Sequence, residues 1–252
     1  MKVGIIQGRL SPPIEGFQEC PAEWEREFSY FSKLQLNHIE WIITKKSFHT
    51  NPFFEHDLSK YPIHSVCADN LVDYRIDDFG FMEENLDPIC RAAIKNNVKF
   101  ITIPLLEESS VEDDNKRENF KEILKVFTER YPRLNFSIEA ELEVEKLLQL
   151  LHISDTIYVT YDTGNITSCG FDHEEYIDTL SNRISNVHLK DRTFQGETVV
   201  PTGGDTDFKL IFEKLKKINY PNVFTLQTAR EISGQEIETI SKHLKILRRI
   251  NE

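Results

Sequence analysis

Leu134-Asn135-Phe136-Ser137-Ile138-Glu139, Ile157-Tyr158-Val159-Thr160-Tyr161-Asp162 and Ile184-Ser185-Asn186-Val187-His188-Leu189-Lys190 are three short segments separated by helical patterns over 144–151 and 173–180. In the first, Leu134, Phe136 and Ile138 share one phase and Asn135, Ser137 and Glu139 the other. In the second, Ile157, Val159 and Tyr161 oppose Tyr158, Thr160 and Asp162. In the third, Val187 and Leu189 leave His188 on the opposite phase. A period of two marks strands, and apolar residues three and four apart mark helices. Strands alternating with helices imply a parallel sheet.

The same alternation runs to both ends of the chain. Residues 3–7, 38–43, 63–68 and 98–103 read as strands. The helical patterns between them cover 22–34, about 78–95 and 115–130, and a short, poorly periodic stretch through Asn51-Pro52 reaches Lys60. Beyond 184–189 come a helix at 208–218, a strand at 223–226 and a helix at 236–250. Eight strand–helix units in 252 residues predict a single (β/α)8 TIM barrel over 1–252 with an irregular second helix. A doubly wound open sheet usually shows a Gly-x-Gly-x-x-Gly turn after its first strand, which Gly4 and Gly8 do not make.

Composition narrows the function. Lys and Arg number 30 against 42 Asp and Glu, a net charge of −12, which repels nucleic-acid phosphates and anionic lipid. Apolar runs of a few residues are too short to span a bilayer. The N-terminal apolar run soon meets Gln7, Gly8 and Arg9, unlike a secretory signal. Cys20, Cys67, Cys90 and Cys169 are widely spaced and read as reduced thiols. The expectation is a cytoplasmic protein with no nucleic-acid or membrane partner and a possible homo-oligomeric state.

In a barrel, chemistry gathers at the C-terminal strand ends. Those ends read as Gln7, Glu40, Asp69, Pro104, Glu139, Asp162, His188 and Gln227. The fully apolar phase belongs under the helices, so Glu139, Asp162, His188 and Gln227 point into the barrel mouth. Two carboxylates and an imidazole on neighbouring strands form a divalent-cation site with open positions for substrate oxygens. Taken singly, each has another reading: Glu139 as a helix N-terminal carboxylate, Asp162-Thr163-Gly164-Asn165 as an Asx turn, and His188 as a satisfied core histidine.

Arg9, Lys190, Arg192 and Arg230 follow strands one, seven and eight, which closure makes neighbours. They read either as a cationic pocket for an anionic substrate or as loop cations paired with Asp191, Glu197 or Glu231. Asp205 or Thr206 is expected to cap the next helix. Gly203-Gly204 is expected to make a turn whose N–H groups could approach an oxyanion.

Ile138-Glu139, Asp162-Thr163-Gly164-Asn165, His188-Leu189-Lys190-Asp191 and Gly204-x-x-Asp207-Phe208, followed by Tyr220 and a strand ending at Gln227, occur in an order that resembles the xylose isomerase-like TIM-barrel superfamily. Within it, the sugar-phosphate isomerase/epimerase branch is the nearest likeness, with Glu40-Trp41 and Ala68-Asp69 similar to its second and third strand ends. The resemblance implies a divalent ion (Mn, Mg, Co or Zn) held by Glu139, Asp162, His188 and position 227. It also implies a catalytic carboxylate at Glu139 helped by Lys190, and a small anionic sugar met by Gln7, Arg9, Glu40, Asp69, Asn165 and Arg230.

Two positions depart from the pattern. Residue 227 is Gln where the family has Glu, and Asn165 stands where many relatives carry His. An amide can offer oxygen to a metal but is no base near neutral pH, which disfavours two-base epimerisation. Aldose–ketose isomerisation remains, by metal-assisted hydride shift or by one carboxylate shuttling a proton. The alternatives are an inosose-dehydratase-like lyase and a non-catalytic sugar-binding barrel in which Gln227 marks lost activity. A histidine-rich zinc endonuclease fits less well, with His188 the one clear strand-end histidine.

Overall fold

Alternating side chains in successive strands leave one face of each strand for the helices and the other for the barrel interior. The computed structural model, which describes residues 1–14 and 19–252, shows eight parallel strands closed in that way. They are β1 (Val3–Ile6), β2 (Ile39–Ile42), β3 (Ile63–Cys67), β4 (Phe100–Leu105), β5 (Asn135–Ala140), β6 (Ile157–Asp162), β7 (Ile184–Leu189) and β8 (Val223–Leu226). Each strand neighbours the next in the chain, and β8 returns to β1 with Val3, Gly4 and Ile5 opposite Phe224, Thr225 and Leu226.

Packing divides the chain into two compact units, Met1–Ile39 with Tyr161–Glu252, and Glu40–Thr160. In the second unit, Ile101, Ile103, Phe136 and Ile138 are fully buried on the helix-facing phase. On the other phase Thr102 pairs in register with Ser137. Glu40 accepts hydrogen bonds from Thr102 Oγ1 (2.6 Å) and Ser65 Oγ (3.0 Å), and Thr160 bonds Ser137 at 2.7 Å. This hydroxyl fan lets a buried carboxylate persist inside the barrel. In the first unit, Thr225 donates to Asn186 Oδ1 (2.9 Å), so its oxygen accepts from His38 Nε2 at 3.1 Å. A Cβ on Gly4 would lie 2.3 Å from the His38 ring, so only glycine fits beneath it.

The helices differ from expectation where backbone donors run out. The pattern over 22–34 forms two short helices, Trp24–Ser29 and Phe31–Leu34, because at Tyr30 the N–H turns to the Glu27 carbonyl three residues back. That over 78–95 divides at Leu86, where Pro88 in the first turn of Asp87–Lys95 has no N–H to continue the ladder. The irregular second helix is the single turn Pro52–Glu55. Its cap, Asn51, accepts from Phe53 N–H and from Trp41 Nε1 (2.8 Å), which ties the turn to β2.

The structure adds elements that the sequence pattern does not announce, among them the helix Thr163–Cys169 and a ribbon pairing Asp191–Arg192 with Thr198–Val199. The cap of Phe208–Lys217 is Asp207, which accepts from Leu210 N–H, rather than Asp205 or Thr206. Thr206 instead bonds Thr167 (3.0 Å), and Asp205 accepts from Phe194 N–H. All four cysteines are free thiols. Among the described residues no helix is long and apolar enough to cross a membrane.

Candidate active site

β6 ends on Asp162, whose two carboxylate oxygens have separate work. Oδ1 accepts the Asn165 N–H at 2.8 Å and so caps the helix Thr163–Cys169. Oδ2 lies 3.5 Å from Lys190 Nζ and 3.9 Å from His188 Nδ1. The turn reading of Asp162-Thr163-Gly164-Asn165 therefore accounts for one oxygen, and the other faces Lys190 and His188.

The next residues fix β7 against it. Thr163 Oγ1 accepts Lys190 N–H (3.0 Å) and donates to the Lys190 carbonyl (2.6 Å), a latch that aligns His188 and Lys190 with Asp162. Gly164 lets the two segments pack closely beside it, since a Cβ would sit tightly at 3.0 Å from Lys190 Cγ and 3.2 Å from its carbonyl oxygen. Lys190 Nζ also donates to Asn165 Oδ1 at 3.1 Å.

Glu139 is the penultimate residue of β5, level with Pro104 of β4 and 3% exposed. It is not a helix N-terminal carboxylate, because the following helix, Val144–Leu151, starts later. Glu139, Asp162 and His188 each offer one ligand atom, and these atoms lie within 4.8 Å of one another; all three residues are buried. Gln227 follows β8, its N–H donating to the Leu189 carbonyl at 3.1 Å. Its Oε1 is buried without a hydrogen-bond partner among the described residues. A buried amide oxygen with no donor is a ligand type that a divalent cation accepts, as are two carboxylates and an imidazole.

The remaining candidates take varied places. Gln7, just past β1, and Asn165 are buried. Glu40 is not a strand end: it lies two residues before the end of β2, inside the hydroxyl fan. Asp69 opens a 3-10 turn after β3, and its charge, with those of Glu40 and Glu139, adds to burial in raising the Cys67 thiol well above its ordinary pKa. Cys67 therefore stays protonated and is no nucleophile. The Gly204 N–H is taken by Asp191 Oδ2 at 3.1 Å and is not offered to a ligand oxyanion. Arg192 donates to Thr198 and Ser168 hydroxyls, whereas Arg230 donates to the Gly8 and Ser11 carbonyls.

Sequence reasoning missed Glu27, although its place on the apolar stripe of Trp24 and Phe31 signals burial. Both its oxygens accept from Gly8 N–H at 3.1 Å, and Oε1 also accepts from Leu10 N–H and Ser11 Oγ. Burial outweighs these bonds and pushes the carboxyl up to about 7. A carboxyl raised in the folded state stabilises fully below its unfolded pKa, and that contribution fades as pH rises through 7. Between pH 5 and pH 8 the wild type is expected to lose about 2–3 kcal/mol relative to Glu27→Gln, read from urea unfolding of both proteins. A pH-independent difference would show that the carboxyl is not raised.

Strands, latch and clustered acids together define a (β/α)8 barrel with a cation-competent centre. A family model described as the xylose isomerase-like TIM barrel matches residues 84–250, and the chain belongs to that family. An inosose dehydratase of Clostridium perfringens is 26% identical over 112 residues, 37% of this chain and 37% of that protein. The match thus spans well under half the length of this curated relative. Among solved structures, the 3-keto-D-glucoside 4-epimerase YcjR of E. coli superposes with a TM-score of 0.73 at 17% identity, covering 99% of both chains. The IOLI protein with a bound zinc atom has a TM-score of 0.72 at 14% identity, covering 99% of this chain and 96% of that one.

Proposed function

We propose that the chain is a divalent-metal-dependent isomerase/epimerase acting on a small phosphorylated or acidic sugar, with aldose–ketose isomerisation as its reaction. The observation that carries this reading is the approach of Glu139, Asp162 and His188 ligand atoms to within 4.8 Å of one another. The names of the relatives, an inosose dehydratase and a 3-keto-D-glucoside epimerase, agree on a carbohydrate substrate.

Glu139, Asp162, His188 and Gln227 would hold the ion. When bound, a divalent cation would polarise the sugar carbonyl and its neighbouring hydroxyl. Glu139 takes the proton from the carbon next to the carbonyl and returns it to the former carbonyl carbon, while the proton of the neighbouring hydroxyl passes to the former carbonyl oxygen. One carboxylate on one face is enough for that shuttle. Inverting a single carbon by two bases needs a second base opposite, which the Gln227 amide is not. Lys190, held by Asn165 and Asp162, presents positive charge to substrate oxygen. Gln7 and Asp69 are the polar wall that orients hydroxyls, and Arg9 and Arg230 meet the anionic end.

A second reading, elimination of water, is favoured by the identity to inosose dehydratases. It shares the first step and differs only in that a hydroxyl then leaves from the next carbon.

The test is NMR in deuterated water with Mn, Mg, Co or Zn and a panel of aldose and ketose phosphates, sugar acids and inosose. Deuterium at the carbon beside the carbonyl with appearance of the isomer supports the proposal. A dehydrated product selects the second reading. No exchange with any substrate and no divalent-ion binding overturn both.

Gln227→Glu adds a third carboxylate to the centre. In a competent enzyme suited to glutamine, turnover is expected to fall several-fold, up to about tenfold, or metal preference to shift, as measured by kcat with each ion. Activity that appears only in the variant would instead identify a binding barrel whose chemistry Gln227 had disabled.

A further inference from the structure

We propose that Arg9 and Arg230 form an oxyanion-binding site for the phosphate or carboxylate group of a small ligand. The proposal deepens the functional reading, and rests on it only in taking that group to be the anionic end of the sugar. The loop after β1 turns at Gly8 (φ +85°), where a Cβ would meet the Glu19 carbonyl oxygen at 2.4 Å. Glu27 gathers the N–H groups of Gly8 and Leu10, while Arg230 donates to the carbonyls of Gly8 and Ser11. Held from both sides, the loop fixes Arg9 before any ligand arrives.

Arg9 makes no side-chain hydrogen bond or ion pair among the described residues, and its Nε is buried without a partner. The Nε of Arg230 is likewise buried and unpartnered. Both side chains line one small cavity of about 50 Å³ that is open to solvent, together with Pro13, Ala229, Ser233 and Glu236. Burial, with the nearby charge of Arg230, lowers the Arg9 pKa to about 10.

Two acids, Glu231 and Glu236, also line the cavity. Glu231 pairs with Lys242 at 2.8 Å and lies 3.6 Å from His243 Nε2. Glu236 accepts from Gly234 N–H, and its charge acts on Arg230, as does that of Glu27. None of the described carboxylates pairs with Arg9. A largely buried guanidinium without a counter-charge is costly, and its planar fork of N–H donors matches two oxygens of a phosphate or carboxylate.

The experiment is thermal unfolding of the wild type and Arg9→Met with divalent ions chelated, titrated separately with inorganic phosphate and with malonate at constant ionic strength. Arg9 makes no hydrogen bond to lose, so the variant is expected to fold; Arg9→Gln serves if it does not. A saturable rise in Tm is expected for the wild type, roughly 5 °C at a hundredfold excess over Kd. In the variant the response should shrink to the shallow, non-saturating effect of an excluded salt.

Saturation by phosphate alone marks a phosphorylated ligand, and saturation by malonate an acidic one; each supports the site. Equal responses in wild type and variant, or no saturable response to either anion, overturn it. Because no metal or sugar is present, failure of the metal reading leaves this result unchanged. Failure here leaves the metal titration unchanged in the same way.

Discussion

Glu139→Gln is expected to lower turnover by about 100- to 10,000-fold, the range for removal of a positioned base, while the barrel stays folded. Gln conserves the shape of a side chain that is 3% exposed on β5 and keeps an oxygen for a cation, but cannot accept the proton. If Glu139 is the base, kcat collapses and deuterium exchange beside the carbonyl is lost with it, whereas divalent-ion affinity falls much less. Retained exchange in the variant would move the base elsewhere, with Asp162 next in line.

Asp162→Asn separates structure from chemistry at the neighbouring position. Asn is as good an N-cap as Asp, so the bond to Asn165 N–H survives and the helix Thr163–Cys169 keeps its capped first turn. The charge facing Lys190 and His188 disappears. Affinity for Mn or Zn is expected to drop by more than about 100-fold, read by calorimetric titration, with activity falling in parallel at subsaturating metal. Unchanged metal affinity would place the ion away from Asp162. Lys190 makes the outcome sharper: with its carboxylate neighbour neutralised, a buried ammonium remains near the centre and further disfavours a cation.

Much of the scaffold was legible because period-two alternation in β5 and β6 separates the helix-facing residues from those facing inward. The apolar members, Phe136 and Ile138, are fully buried, and Ser137 and Thr160 meet in a hydrogen bond. The helix Thr163–Cys169 escaped notice because Thr-Gly-Asn-Ile-Thr-Ser-Cys has weak helix propensity; it is held by the Asp162 cap and by burial of residues 163–167. The displaced position of Glu40 was equally hidden. Its hydroxyl partners, Ser65 and Thr102, come from two other strands, so the position depends on register between strands remote in sequence.

The site was legible in residue type more than in attachment. Asp162, His188 and Lys190 could be placed at successive strand ends, but nothing local announced the Thr163 hydroxyl that locks them together. Arg230 shows the same limit from the other side. Its nearness to Gln227 in the chain was visible, whereas its grip on the Gly8 and Ser11 carbonyls requires β8 to close onto β1.

The split duties of Asp162 bear on how descent can be read in such chains. A lineage that gave up its chemistry would still keep an Asp or Asn here, because the helix after β6 needs its first turn capped. Retention of this residue is thus a poor witness to surviving activity. Glu139 caps no helix, so its drift to another residue would be the earlier sign of a barrel that had abandoned its trade.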